Sequence, residues 1–165
     1  MTTLRTRLLL AMATLLSGIL VGGIFDRALV GKRAWDALGP RAWVEFSLHA
    51  DLGWGLIAYP VEAIGAALFL IAATVSFQRE GAKPRAARVA LLLAVASSVT
   101  GLLLTLKAAP IMLALGKETP SIAPAVAFEE FHLWGIYIRG AADLLAFVFE
   151  ISAFTALSRS AAKTD

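Results

Sequence analysis

The sequence predicts an all-α integral membrane protein, a four-helix bundle with short interfacial helices in its first outer loop. Three observations predict it. Of 165 residues, 59% are hydrophobic and only 16% charged, and the mean hydropathy of +0.77 lies outside the range of soluble domains. Four apolar runs each supply the roughly 20 helical residues that cross a hydrocarbon core about 30 Å thick. The connections between them leave no room for a second domain, so residues 1–165 read as one membrane domain with spans near 8–30, 52–77, 87–109 and 131–157.

The first span follows Arg5 and Arg7, as a secretory signal would. Its apolar run continues past Ile24 without a small-residue cleavage pattern, so it reads as a retained helix. Gly18 and Gly22 form a small-xxx-small face that lets another helix come close.

The segment at 31–51 repeats a unit, Arg33-Ala34-Trp35 and Arg41-Ala42-Trp43, on either side of Gly39-Pro40. Gly-Pro forces a turn, so two short interfacial helices are expected, either roofing a cavity between the spans or serving as anchors. In the second span, Pro60 removes the hydrogen bond to the Leu56 carbonyl and predicts a kink just above Glu62.

Sidedness follows from charge. Arg5, Arg7, Arg79, Lys83, Arg85, Arg88, Arg159 and Lys163 fall on the side of the termini, against Lys32, Arg33, Arg41 and Lys117 on the other side with Arg27 and Lys107 at its margin. The acids sharpen this modest excess: Asp36, Glu45, Asp51, Glu118, Glu129 and Glu130 lie on the other side, against Glu80 and Asp165. Lysine and arginine stay cytoplasmic, so both termini are expected inside, in the bacterial inner (plasma) membrane. Trp35, Trp43, Trp54 and Trp134 cluster at the outer boundary, where an interfacial belt and the wall of a pocket are both open readings. The sequence pI of about 9.6 reflects these flanking clusters, which lack the interleaved aromatics of a nucleic-acid groove.

Charges inside a span are costly and should face the bundle interior with a partner. His132, Arg139, Asp143 and Glu150 are spaced by seven, four and seven residues on the last span, which puts them on one inward face. Arg139 is placed to pair with Asp143 four residues on and to bridge to Glu62 at similar depth. Such a triad either fixes helix register or serves a substrate or a proton.

With no cysteine, thiolate chemistry and disulfides are excluded, and any redox role needs a cofactor or other ligands. The only histidines, His49 and His132, both fall on the outer side, each preceded by a carboxylate at helical spacing: Glu45 four residues before and Glu129 three before. His49, His132, Glu45 and Glu129 are therefore the candidate metal ligands, or a histidine the ligand of a haem. Glu129-x-x-His132 echoes half of a carboxylate-bridged di-iron motif, with the other half missing. A hydrogen-bonded surface histidine is the plainer alternative.

The glycine-rich first span (Ser17-Gly18 and Gly22-Gly23), the Trp-containing outer segment, the short basic inner loop, and a last helix entered through Phe131-His132-Leu133-Trp134 and carrying Arg139 together resemble the anthrone-oxygenase-like family of small four-helix membrane proteins. The resemblance spans most of the chain. The proline expected at the outer end of the first helix is replaced by Phe25-Asp26-Arg27-Ala28-Leu29. Fungal members oxidise anthrones to anthraquinones, and the resemblance implies an oxygenase acting on an apolar aromatic molecule, with His132, Trp134 and Arg139 carried over.

Two functions are thus expected. One is a membrane oxidoreductase or oxygenase with an outer-leaflet pocket for an apolar aromatic or quinone-like substrate. There His132, Arg139, Asp143 and Glu62 would act chemically, and Trp54, Tyr59, Trp134 and Tyr137 would line the walls. The other is a non-catalytic accessory or assembly subunit of a larger membrane complex, docking through Gly- and Ala-rich faces. A homo-oligomer fits either. A transporter is weaker, since the chain shows no inverted repeat.

Overall fold

The computed structural model describes residues 4–81, 84–117 and 121–161. Lys83, Glu118, Lys163 and Asp165, counted above for sidedness, lie outside the described residues. The described residues are helical apart from short connections, and none of them forms a strand. Helix α1 spans Leu4–Asp26, α2 Lys32–Leu38, α3 Pro40–His49, α4 Gly55–Arg79, α5 Arg85–Leu115, α6 Pro124–Phe131 and α7 Arg139–Ala161. Three π-helical segments, Arg27–Gly31, Ala50–Trp54 and His132–Ile138, join α1 to α2, α3 to α4 and α6 to α7.

The four apolar helices are thus longer than the apolar runs alone predict: Leu4–Leu38, Pro40–Arg79, Arg85–Leu115 and Pro124–Arg159. Each is long and apolar enough to cross a membrane. The excess length lies at one end, where the expected short helices α2 and α3 do form but continue the spans on either side of them. The turn between them sits at Gly39, whose φ of +91° only glycine adopts without strain, and Pro40 opens α3 at the position where its missing N–H costs nothing. The expected kink is displaced. Helix α4 runs through Pro60, and the break falls earlier, at Gly53 (φ −89°, ψ −117°). Pro60 lies in the second turn of α4, so the bond it removes is the one to the Leu56 carbonyl in the first turn, and the rest of the helix continues regularly.

The spans pack in a ring, α1 against α4 and α7, and α5 against α4 and α7. Small residues set the spacing. On α5, Ala87, Ala94, Gly101 and Ala108 recur every seventh residue and are all buried, as a left-handed bundle seam requires. On α1 the predicted glycine face is half used: the Phe147 ring of α7 lies against Gly18, whereas no other side chain or backbone approaches the position a Cβ would take at Gly22. Gly140 of α7 completes the close crossing, its missing side chain leaving space for Ile24.

The two ends have different interiors. At the end carrying Arg5, Arg7, Arg79 and Arg85, here the basic end, Leu10, Leu70, Phe77, Leu91, Ala153 and Leu157 close the bundle with apolar contacts. At the opposite, aromatic end, α2 and α3 fold over α6 and the end of α5, and bury Trp43 against Ile111, Met112, Leu115, Ala127 and Phe128. Trp43 therefore belongs to a protein core and not to an interfacial belt. Trp54 is 81% exposed and Trp134 half-buried, so neither belongs to that core.

Candidate functional site

The inward face predicted for the last span is present. His132, Asp143 and Glu150 are buried, and Arg139 is largely so. They do not, however, form one site. The π segment that begins at His132 widens the turn and changes the phase between it and Arg139, so His132 enters the aromatic cap while Arg139 and Asp143 face the bundle axis.

His132 is 1% exposed. Its ring packs against Phe128, Trp35, Trp43 and Phe131, with centroids 4.3, 5.7, 5.8 and 6.3 Å away. Nδ1 lies 2.7 Å from the Phe128 carbonyl, which can only accept a hydrogen bond. Nδ1 must therefore carry the proton, leaving the neutral ring with its lone pair on Nε2. That atom is buried without a hydrogen-bond partner. An unsatisfied buried acceptor costs about 1–3 kcal/mol, so its persistence here invites a functional explanation.

The four proposed metal ligands are not brought together. His49 is exposed and pairs with Glu45 at 3.2 Å, and Glu129 is exposed next to the cap. Among the described residues no three histidine or carboxylate side chains converge on a point where an ion could sit. The Nδ1 of His132 is taken by the Phe128 carbonyl, while His49 and Glu45 pair with each other on the exposed side of α3.

The Glu62 bridge does not form either. Arg139 Nε lies 3.6 Å from Asp143 Oδ2, a loose pair in which both atoms lack a hydrogen bond. Glu62 is half-buried on α4, which stands diagonally across the ring from α7, and no ion pair joins it to Arg139. Between them lies a cavity on the bundle axis of about 10 Å³ touched by all four spans, with Ser17, Ala63, Ser98, Thr105, Arg139 and Asp143 among its lining residues. This is room for about one water molecule. Gly101 borders it closely, and a Cβ there would collide with Asp143 Oδ1.

The expected pocket walls are dispersed. Trp54 and Tyr137 are exposed, and Trp134 lies under Lys107, whose Nζ is 5.6 Å from its ring centre. Tyr59 belongs instead to a charged cluster that the sequence reading missed. Arg27 forms an ion pair with buried Asp51 and donates to Tyr59 Oη at 2.6 Å, while Tyr59 Oη donates to Asp51 Oδ1 at 3.2 Å. Arg27 and Asp51 stand in two of the three π segments. The only signal in the sequence was a pair of opposite charges at two span margins.

The chain was compared with family models, curated proteins and solved structures, and none of them matches it.

Proposed function

We propose that the aromatic cap binds a flat apolar aromatic molecule and that His132 Nε2 accepts a proton from it, making the chain a small membrane oxidoreductase of the anthrone-oxygenase-like kind. The observation that carries this reading is the unpartnered Nε2 lone pair inside a box of four aromatic rings. Aromatic faces receive a flat ring system by stacking, and a fixed neutral imidazole is the usual general base near neutral pH. For a substrate with an activated CH2 between aromatic rings, proton transfer to Nε2 leaves a carbanion. Dioxygen as co-reactant oxidises that carbon to C=O with release of one water. The substrate reaches Nε2 when the α2–α3 hairpin lifts about Gly39 and the break at Gly53. Both termini lie in the cytoplasm and the cap faces outward in a bacterial inner membrane, following the basic clusters of the opposite end.

The test is turnover of a hydroxylated anthrone in air by the purified chain in lipid, followed by quinone absorbance and oxygen uptake. His132→Phe should abolish it, a loss of at least about 100-fold for a missing general base, while His49→Ala leaves it intact. Full turnover by His132→Phe would overturn the reading.

One observation favours the accessory-subunit reading instead. Much of the apolar surface of α1, including the faces at Gly22 and Gly23, is left open. Isolation of the native chain in a stable larger complex, without turnover, would favour it.

A further inference from the structure

Glu150 is fully buried. Ser17 of α1 donates to its Oε1 at 3.0 Å, the Thr14 hydroxyl stands beside it one turn nearer the basic end with its own hydrogen bond to the Leu10 carbonyl, and Oε2 has no hydrogen-bond partner. Its depth follows from α1, where Ser17 stands 11 residues from Thr6 and 10 from Arg27. At the α-helical rise this places Glu150 about 16 Å from the Thr6–Ser76–Glu80 hydrogen bonds of one end and about 15 Å from the Arg27–Asp51 pair of the other. The two polar ends are separated by about the thickness of a hydrocarbon core, and Glu150 lies at its middle.

No cation faces it there. Helix α1 has no ionisable side chain between Arg7 and Asp26, α4 none between Glu62 and Arg79, and α5 none between Arg88 and Lys107. On α7 itself Asp143 and Arg139 lie two and three turns away and engage each other. A carboxylate without a counter-ion in this medium is neutralised by what it binds. Among the described residues no cluster of carboxylates and histidines could ligate a metal ion, so the neutralising cation is a proton.

Access is one-sided. Toward the basic end Glu150 is closed off by Leu10, Leu70, Leu91 and Phe77, each essentially without exposure. Toward the aromatic end the water-sized axial cavity begins at Ser17, a hydrogen-bond partner of Glu150, and is lined by Ser98, Thr105 and Asp143, whose Oδ2 faces Arg139 without a hydrogen bond. Hydroxyls and a water-sized space supply a relay of donors and acceptors.

We propose that Glu150 is a proton-binding site at the middle of the bundle, loaded and emptied through the Asp143 cavity from the aromatic end and sealed from the basic end. It is separate from the His132 box and does not depend on the function proposed there.

Infrared spectra of the full chain in lipid test this. A protonated-carboxyl C=O band is expected that E150Q removes, and it should shift in D2O. The double variant Ser98→Val and Thr105→Val lines the same cavity without hydroxyls and should slow that shift about tenfold, the effect of one hydrogen-bonded step lost from the exchange barrier. Absence of the band, a band indifferent to D2O, or an unchanged exchange rate in the double variant would each overturn the proposal. Should E150Q fail to fold, the natural chain serves: an apolar carbodiimide, which reacts with protonated carboxyls, should label Glu150 in intact membranes, and an unlabelled Glu150 would refute the assignment.

Discussion

The basic end and the aromatic end solve the same packing problem with different materials. At the basic end Leu10, Leu70, Phe77, Leu91 and Leu157 meet on regular α-helices, with alanines between them and one hydrogen-bonded group, Thr6–Ser76–Glu80, at the rim. At the aromatic end the helices pass through three π segments, and the core holds a histidine with an orphan nitrogen, beside a charged triad. Regular helices with apolar partners contribute stability. Interrupted helices with unsatisfied polar atoms sacrifice some of it, and such sacrifices concentrate at functional sites.

This contrast predicts that truncation acts globally at one end and locally at the other. Phe77→Ala should cost about 3–5 kcal/mol of stability, read as a lowered midpoint of thermal or denaturant unfolding in detergent. Trp43→Ala removes a side chain of similar burial, yet it should chiefly release α2 and α3. Hydrogen exchange of Lys32–His49 should rise by orders of magnitude while the midpoint moves less than for Phe77→Ala. Equal midpoint shifts with no local change in exchange would erase the distinction. A smaller effect is expected at the charged triad. Asp51→Asn leaves Arg27 without its counter-ion and should cost about 2 kcal/mol, below the roughly 3–5 of a fully buried pair because Arg27 retains some exposure. The double variant with Arg27→Met should recover part of that loss, and additivity of the two losses would show that the pair is not coupled.

The smallest effect is the most diagnostic. His132→Phe removes an unsatisfied nitrogen from an aromatic core, so stability should stay within about 1 kcal/mol of the original or rise. A loss as large as that of Trp43→Ala would mean that the imidazole is a structural member of the cap and not a functional one.

How much of this could be read from residues alone follows the same division. The spans were legible because a bilayer admits only long apolar helices, and the inward placement of Asp143 and Glu150 was legible because lipid penalises the alternative. The cap was not. Trp43 carries the same interfacial signature as Trp54, and only the fold of the α2–α3 hairpin over α6 separates a core residue from a boundary one. Nor does any residue type demand a π turn, so the phase change between His132 and Arg139 was invisible, and a seven-residue spacing suggested a common site that the widened helix divides. The Glu62 bridge failed for a related reason: depth is countable along a sequence, but which spans stand diagonally is not.

The three π segments stand where α1 passes into α2, α3 into α4 and α6 into α7, at the joints between the cap and the spans. A π turn accommodates one residue more than its α counterpart, and in an α-helix one residue corresponds to about 100° of rotation. If any of the three reverted to α geometry, every side chain beyond it would swing by about that angle while the hydrogen-bonded rod stayed continuous. The cap therefore rests on three rotary joints, and turning them would carry Trp35, Trp43 and His132 past one another without unwinding a helix.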